Sequence, residues 1–282
     1  MRDPLRDVSR TSLVTAALRA AETRRPDRLY DDPYAEHLAG EDGPALAAEV
    51  SAFYRHSSGV PRITAFNAIR TRFFDDRLLA RTRAGAGQVV ICAAGMDTRA
   101  YRLGWPPGVR VFEVDYPEVL AAKEHVLARL GAAPRCAGHH LVGADLAEPG
   151  WGDRLLAAGY DPGGPSAWIL EGLLYYLDEV DVRALLRRVR ALTAPGATMT
   201  ANVAAASTLR APSLQPLLGV FRGWGAPWVF GVDDPAALWA EYGFRADVVL
   251  PGQAGAHFGR WSDADEAASR TVRLLFVDGT RV

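Results

Sequence analysis

The stretch QVVICAAGMDTRAYRL, residues 88–103, decides how the rest of the chain is read. Val89 to Ala93 form an apolar run rich in β-branched side chains, the pattern of a strand buried on both faces. Ala94 and Gly95 end it with residues small enough for a sharp turn and for close approach of a ligand. Asp97, Arg99 and Arg102 follow within a helix predicted over 97–102. They read either as a surface ion-pair group, worth little for stability, or as a set in which one arginine anchors a ligand. VRVFEVD, residues 109–115, then predicts a second buried strand that closes on Asp115, twenty positions beyond Gly95. Strand, glycine turn, helix, strand and terminal acid make a nucleoside-binding βαβ unit.

Downstream, strand and helix patterns alternate, which predicts a mainly parallel sheet covered on both faces. Further strands are expected near 139–143, 166–170 and 197–203, and helices near 117–130, 150–158 and 179–193. Pro117 suits a first helical position, and Asp178 suits an N-cap. Residues 204–232 break the rhythm with Pro212, Pro216, Pro227 and a cluster of aromatics. This segment reads equally as a lid inserted over a pocket and as a loop packed on the core. A helix at 233–242, capped by Asp233 or Asp234, and strands near 246–250 and 271–277 follow. The two closing strands, joined by a loop, suggest an antiparallel hairpin at the sheet edge.

Upstream, residues 1–84 show no strand pattern and are expected to form a helical cap before a core at 85–282. One helix is predicted over 12–22 with Thr11 as its cap. A second, over 62–83, is apolar at Ile63, Phe66, Ile69, Phe73, Leu78 and Leu79. Between them, Pro26, Pro33 and Gly40 punctuate shorter elements.

Of the 282 residues, 49% are hydrophobic and 23% charged, as in an ordinary globular protein. The net charge of -1, without basic blocks, argues against a nucleic-acid or anionic-membrane partner. No apolar run approaches the ~20 residues of a membrane span. The start of the chain, MRDPLRDVSR, lacks the apolar core of a secretory signal, so a cytoplasmic location is expected. Two cysteines 44 positions apart suggest neither a disulfide framework nor a zinc site. His139 and His140 have no third ligand at metal spacing, and strand-end packing is the expected role. No metal is expected.

The turn discriminates among cofactors. Gly95 stands without the other glycines of GxGxxG, and no GxxxxGK[ST] occurs. Asp97 at the helix start competes with any phosphate for the helix N-terminus. S-adenosylmethionine has no phosphate, a cationic sulfur, and an amino-acid end that needs both an anion and a cation. One close-approach glycine with flanking charges suits it, with Asp115 taking the ribose hydroxyls.

AAGMDTRAYRL, VFEVDYPEVLAAK, ADL (144–146) and EGLLYYL (171–177) occur in that order. Together with the upstream AAETRRPDRLYDDPYA and IRTRFFDD, they resemble the leucine carboxyl methyltransferase family and its actinobacterial O-methyltransferase branch. The resemblance spans roughly residues 10–280. It implies a Rossmann-like class I methyltransferase fold: an α/β structure with a mostly parallel seven-stranded sheet, helices on both faces, an N-terminal helical cap and an inserted lid. It implies S-adenosylmethionine as cofactor, S-adenosylhomocysteine as product, and a carboxylate on a small molecule or peptide as acceptor. Transfer to a hydroxyl, or binding without turnover, are the alternatives.

Carried onto this sequence, the resemblance makes Arg70 the partner of the cofactor's carboxylate, Gly95 the close-approach turn and Asp115 the ribose ligand. Asp145 and Leu146 flank the adenine, and Glu171 sits beneath the amino end. Ala94, Asp97, Tyr116 and Gly172 complete the cofactor loops. Tyr176 and His257 are the catalytic candidates, as bases that a hydroxyl acceptor would require. Relatives carry Gly-Ala-Gly where this chain has Ala93-Ala94-Gly95, so the turn holds one methyl more than the pattern implies. Oligomeric state is not legible in the sequence.

Overall fold

The computed structural model describes residues 4–56 and 59–282. The first three residues of the charged N-terminal stretch lie outside them. The β-branched runs form a sheet in which β1 (Gln88–Cys92), β2 (Arg110–Asp115), β3 (Gly138–Gly143), β4 (Ser166–Leu170) and β5 (Thr198–Ala204) are parallel. With β6 (Phe244–Val249) and β7 (Leu274–Arg281), the order is β3-β2-β1-β4-β5-β7-β6. The last strand lies between β5 and β6 and is antiparallel to both. The expected closing pair therefore exists, but not as a simple hairpin at the edge. Residues 250–273 separate its strands and contain a helix, Asp263–Ser269. That linker is long enough to let β7 insert against β5.

Side-chain alternation along the strands builds two cores. On one face, Val89 and Ile91 of β1, Val111 of β2 and Ile169 of β4 meet helices α1 (Pro4–Thr23), α2 (Ala35–Ala39), α3 (Gly43–His56) and α4 (Ile63–Arg83). The short helix α5 (Arg99–Arg102) and the longer α6 (Pro117–Arg129) cover the same face. On the other, Val90, Phe112 and Trp168 meet α7 (Trp151–Ala157) and α8 (Glu179–Ala191). The 204–232 segment contains α9 (Gln215–Gly223), which packs Leu217, Leu218 and Phe221 into the first core. Helices α1 to α4 thus share one apolar core with the sheet. α10 (Pro235–Glu241) joins the second core through Leu238 and Trp239, and α11 (Asp263–Ser269) follows in the linker to β7.

Local signals act as anticipated at Pro117, which opens α6, and at Asp178, whose side chain accepts from Asp181 N at 2.9 Å. Of the two aspartates before α10, Asp234 is the cap, accepting from Ala237 N. Thr11 is not a cap, because α1 starts at Pro4 and runs through it. Proline's fixed φ sets that start, and nothing in residues 5–11 breaks the helix. His139 and His140 lie on β3. His139 Nε2 approaches Glu113 Oε1 at 3.2 Å, and His140 stacks on Phe112.

Candidate active site

Strand order reverses between β1 and β4, and in open α/β sheets ligands bind beyond the strand C-termini at such a point. There the ends of β1 to β4, together with α1 and α4, enclose a cavity of about 240 Å³. The turn after β1 supplies Ala94, Gly95 and Asp97, β2 supplies Asp115 with Tyr116, and the loop after β3 supplies Asp145 and Leu146. The tip of β4 supplies Glu171 and Gly172, α4 supplies Arg70, and the following loop supplies Tyr176. Residues separated by more than a hundred positions are brought to one wall. His257 is not among them. It is exposed in the linker before α11, where its Nδ1 accepts from Gly259 N at 2.9 Å.

Asp115 ties the turn to the second strand. Its Oδ2 accepts from Gly95 N at 2.6 Å and its Oδ1 from Tyr116 N at 2.7 Å. Burial pushes this carboxyl above its ordinary range, and the two N–H groups oppose that rise. Gly95 has φ +48°, a conformation that strains an L side chain, and a Cβ there would press on Ser12 Cβ of α1 at 3.3 Å, so the turn favours glycine on both counts. Ala93 also lies in the left-handed region, at φ 52°. Here an L side chain is held in a strained conformation.

Charged side chains then run through the floor as a buried chain. Arg70 Nε stands 2.7 Å from Glu171 Oε1, and Arg99 Nη1 bridges Glu171 Oε2 at 2.8 Å and Asp97 Oδ2 at 2.5 Å. Arg99 Nε reaches Asp75 at 2.7 Å, and Arg102 grips the same carboxylate with two N–H groups. Asp32 closes the chain, bonding Arg19 Nε at 2.9 Å and Thr98 Oγ1 at 2.7 Å. Four arginines are matched by four carboxylates. The trio Asp97, Arg99 and Arg102 is therefore interior, not the surface group that was one reading of the sequence. Burial works to raise the carboxyls of Glu171 and Asp97, but neighbouring arginines outweigh it and hold both below the ordinary carboxylate range.

Asn202 of β5 was not anticipated. It is fully buried, and its Oδ1 accepts from Gly172 N at 2.7 Å, fixing the turn that carries Glu171. Its signal was present as one amide inside the apolar run TMTANVA, since a buried polar side chain must have a partner. Thr15 and Arg19 of α1 also line the cavity, and nothing local in the sequence marks them.

The residues fit S-adenosylmethionine better than a phosphate ligand. The N–H of Gly95 is taken by Asp115, and Asp97 Oδ1 accepts from Arg99 N at 2.7 Å, so carboxylates already hold the donors a phosphate would need. Beside them, Arg70 Nε and Glu171 Oε2 are buried without an aligned hydrogen bond. A buried cation and anion side by side in the cavity wall, paired with each other and with Arg99, match in sign the two ends of a zwitterionic amino-acid group. Among the described residues no cluster suited to a metal ion occurs.

Residues 12–190 match the model of the leucine carboxyl methyltransferase family. The chain belongs to that family. A protein of Parafrankia sp. (strain EAN1pec), provisionally named an S-adenosyl-L-methionine-dependent methyltransferase, is 42% identical over 243 residues, covering 84% of this chain and 77% of its own length. One of Saccharopolyspora erythraea with the same provisional name is 37% identical over 270 residues, covering 92% and 90%. This family member is thus one of the S-adenosylmethionine-dependent methyltransferases. Two solved structures share its fold. A duf574 family protein of Streptomyces avermitilis superposes with TM-score 0.62 at 15% identity, covering 95% of this chain and 97% of that one. A Thermobifida fusca protein provisionally named a methyltransferase gives 0.62 at 19% identity, covering 91% and 94%.

Proposed function

We propose that this chain transfers the methyl group of S-adenosylmethionine to a carboxylate oxygen of a small molecule or peptide. The observation that carries this reading is that the one lining carboxyl raised by burial, Asp115, is already engaged by the N–H groups of Gly95 and Tyr116, and no stronger base stands beside it. Among the described residues, no histidine or lysine lines the cavity. Glu171 and Asp97 are held below the ordinary carboxylate range, and burial pushes the Tyr176 hydroxyl up, so it stays protonated. A hydroxyl acceptor would need a base. A carboxylate is ionised already at neutral pH. The name of the matched family supports the same choice.

In this reading Arg70 holds the cofactor's carboxylate, and Glu171 with Asp97 its amino group. Asp115 takes the ribose, while Asp145, Leu146 and Tyr116 flank the base. Ala94, Gly95 and Gly172 let the backbone approach closely. When bound, the cofactor supplies a methyl group on a positively charged sulfur. Tyr176, as a donor, orients the acceptor carboxylate; His257, exposed and outside the cavity, has no part. Transfer to an already ionised carboxylate would leave a neutral ester and a neutral thioether, so no residue of the chain would have to take a proton. What the protein provides is alignment and exclusion of water. The helices of residues 1–84 serve as a cap and residues 204–232 as a lid. Both cysteines are free thiols, and no described helix is long and apolar enough to span a membrane, which supports a cytoplasmic setting.

The test is S-adenosylhomocysteine release with carboxylic acid acceptors, followed from pH 6 to 9. A flat kcat supports a carboxylate acceptor. A tenfold rise per pH unit, or activity confined to hydroxyl compounds, would overturn it.

A further inference from the structure

A second cavity, of about 60 Å³, adjoins the first and shares Thr11, Thr15, Arg70, Tyr175 and Tyr176 with it. Its far wall is apolar, built by Ile63 and Phe66 of α4, Leu217 and Phe221 of α9, and Trp228. Trp228 stacks on Tyr175 at 4.2 Å and on Phe221 at 5.7 Å, so the 204–232 segment closes the space with flat, fixed surfaces. Among the described residues Arg70 is the one charged side chain lining it, at the seam with the first cavity.

This space is not a dry packing defect. Asn67 is 3% exposed and lines it, and Asn67 Oδ1 has no hydrogen-bond partner. The indole N–H of Trp228 approaches the Tyr176 hydroxyl without forming an aligned bond. Empty cavities in proteins are lined by apolar groups, whereas unpartnered buried polar atoms point to an occupant.

Resting on the carboxylate-acceptor reading, we propose that the second cavity receives the body of the methyl acceptor. The substrate is therefore a compact apolar monocarboxylic acid, branched-aliphatic or small-aryl, and not a peptide or a polyacid. Its carboxylate would lie at the seam against the hydroxyl of Tyr176, which lines both cavities, and its body against Phe66, Leu217 and Trp228. Among the described lining residues a second carboxylate would meet no opposite charge but that of Arg70, an ammonium group would meet none, and either would lose its hydration. A peptide backbone would bring several donors and acceptors to a far wall where, among the described residues, Asn67 and the Trp228 indole are the polar groups, the hydroxyls of Thr11, Thr15, Tyr175 and Tyr176 lying at the seam.

The test compares isovalerate and phenylacetate with succinate and short free-carboxylate peptides, measuring S-adenosylhomocysteine formation by the full chain. Burying three or four methylene equivalents predicts that kcat/KM favours the apolar acids by about 100-fold. Leu217→Trp, which fills the second cavity, should remove that activity while S-adenosylhomocysteine affinity stays within about twofold. In parallel, phenylacetate should raise the melting temperature of the wild type bound to S-adenosylhomocysteine but not that of L217W. Succinate or peptides used as well as the apolar acids, or an L217W protein with undiminished activity, would overturn the proposal while leaving carboxylate methylation intact. Methylation of apolar phenols but of no acid would instead overturn the carboxylate reading and leave the apolar cavity standing.

Discussion

Arg70 Nε and Glu171 Oε1 face each other at 2.7 Å where the two cavities meet, yet the contact is too bent for Arg70 Nε to count as hydrogen-bonded. One partner comes from a helix of the N-terminal region and the other from the tip of β4. Their pairing is therefore both a tie between elements and an electrostatic reserve that a zwitterionic ligand can draw on.

Removing the anion should expose that double role. Glu171→Gln leaves Arg70 and Arg99 buried with less compensating charge, and an uncompensated buried charge costs about 3–5 kcal/mol. Urea melts are expected to show a loss of about 3 kcal/mol, partly recovered when Arg70→Met is added, with S-adenosylhomocysteine binding at least tenfold weaker in both. A single-mutant cost below about 1 kcal/mol would mean that water screens the pair despite its burial.

Ala93 invites the opposite kind of change. At φ 52° an L residue is strained by about 1–2 kcal/mol relative to glycine, while glycine costs about 0.4–1 kcal/mol through unfolded-state entropy. Ala93→Gly should therefore stabilise the protein by about 0.5–1 kcal/mol in thermal or urea unfolding. Because Ala93 lines the first cavity, where the cofactor is proposed to bind, the same change should tighten S-adenosylmethionine binding, read by calorimetry. A destabilised variant would show that surrounding packing relieves the strain.

These residues also show what the sequence disclosed. Strand positions were legible because a buried parallel strand needs a continuous apolar run, and β1, β2 and β4 supply one each. Asp115 and Gly95 were legible because a carboxylate closing such a strand, twenty residues after a turn, has few other uses. The charged floor was not. Asp32, Asp75 and Arg19 look like solvated helix or loop residues, and only tertiary contact makes them partners of Arg99 and Arg102. Helix α11 escaped notice because its residues are polar and small, and it is held through Asp265 instead of an apolar stripe.

Asn202 offers a test of positioning as distinct from contact with the cofactor. Asn202→Ala strands the N–H of Gly172, and a buried donor without an acceptor costs about 1–3 kcal/mol. Because that N–H sits beside Glu171, the expected signature is a raised KM for S-adenosylmethionine with kcat changed less than threefold. An equal fall in kcat with unaltered KM would point to a role in the chemical step.

Asp265 ties one part of the fold's stability to pH. Its carboxylate, 2% exposed, accepts from Arg62 N at 2.8 Å and from the Arg62 guanidinium, and Ser262 completes a capping box with it. Burial alone would raise its pKa; the bonds from Arg62 and Ser262 prevail and bring it down to about 2, against an ordinary 3.8. A pKa lower in the folded state than in the unfolded one gives stability that is complete above pH 4 and lost as pH falls through 2. The linkage amounts to about 2 kcal/mol at most, reduced by screening because Arg62 is 53% exposed. Asp265→Asn should therefore lower stability by about 1–2 kcal/mol at pH 7, and the gap from wild type should narrow between pH 4 and pH 2. Urea unfolding across that range checks it: a gap that stays constant would assign the cost to lost hydrogen-bond geometry in the capping box, not to the charge of Asp265.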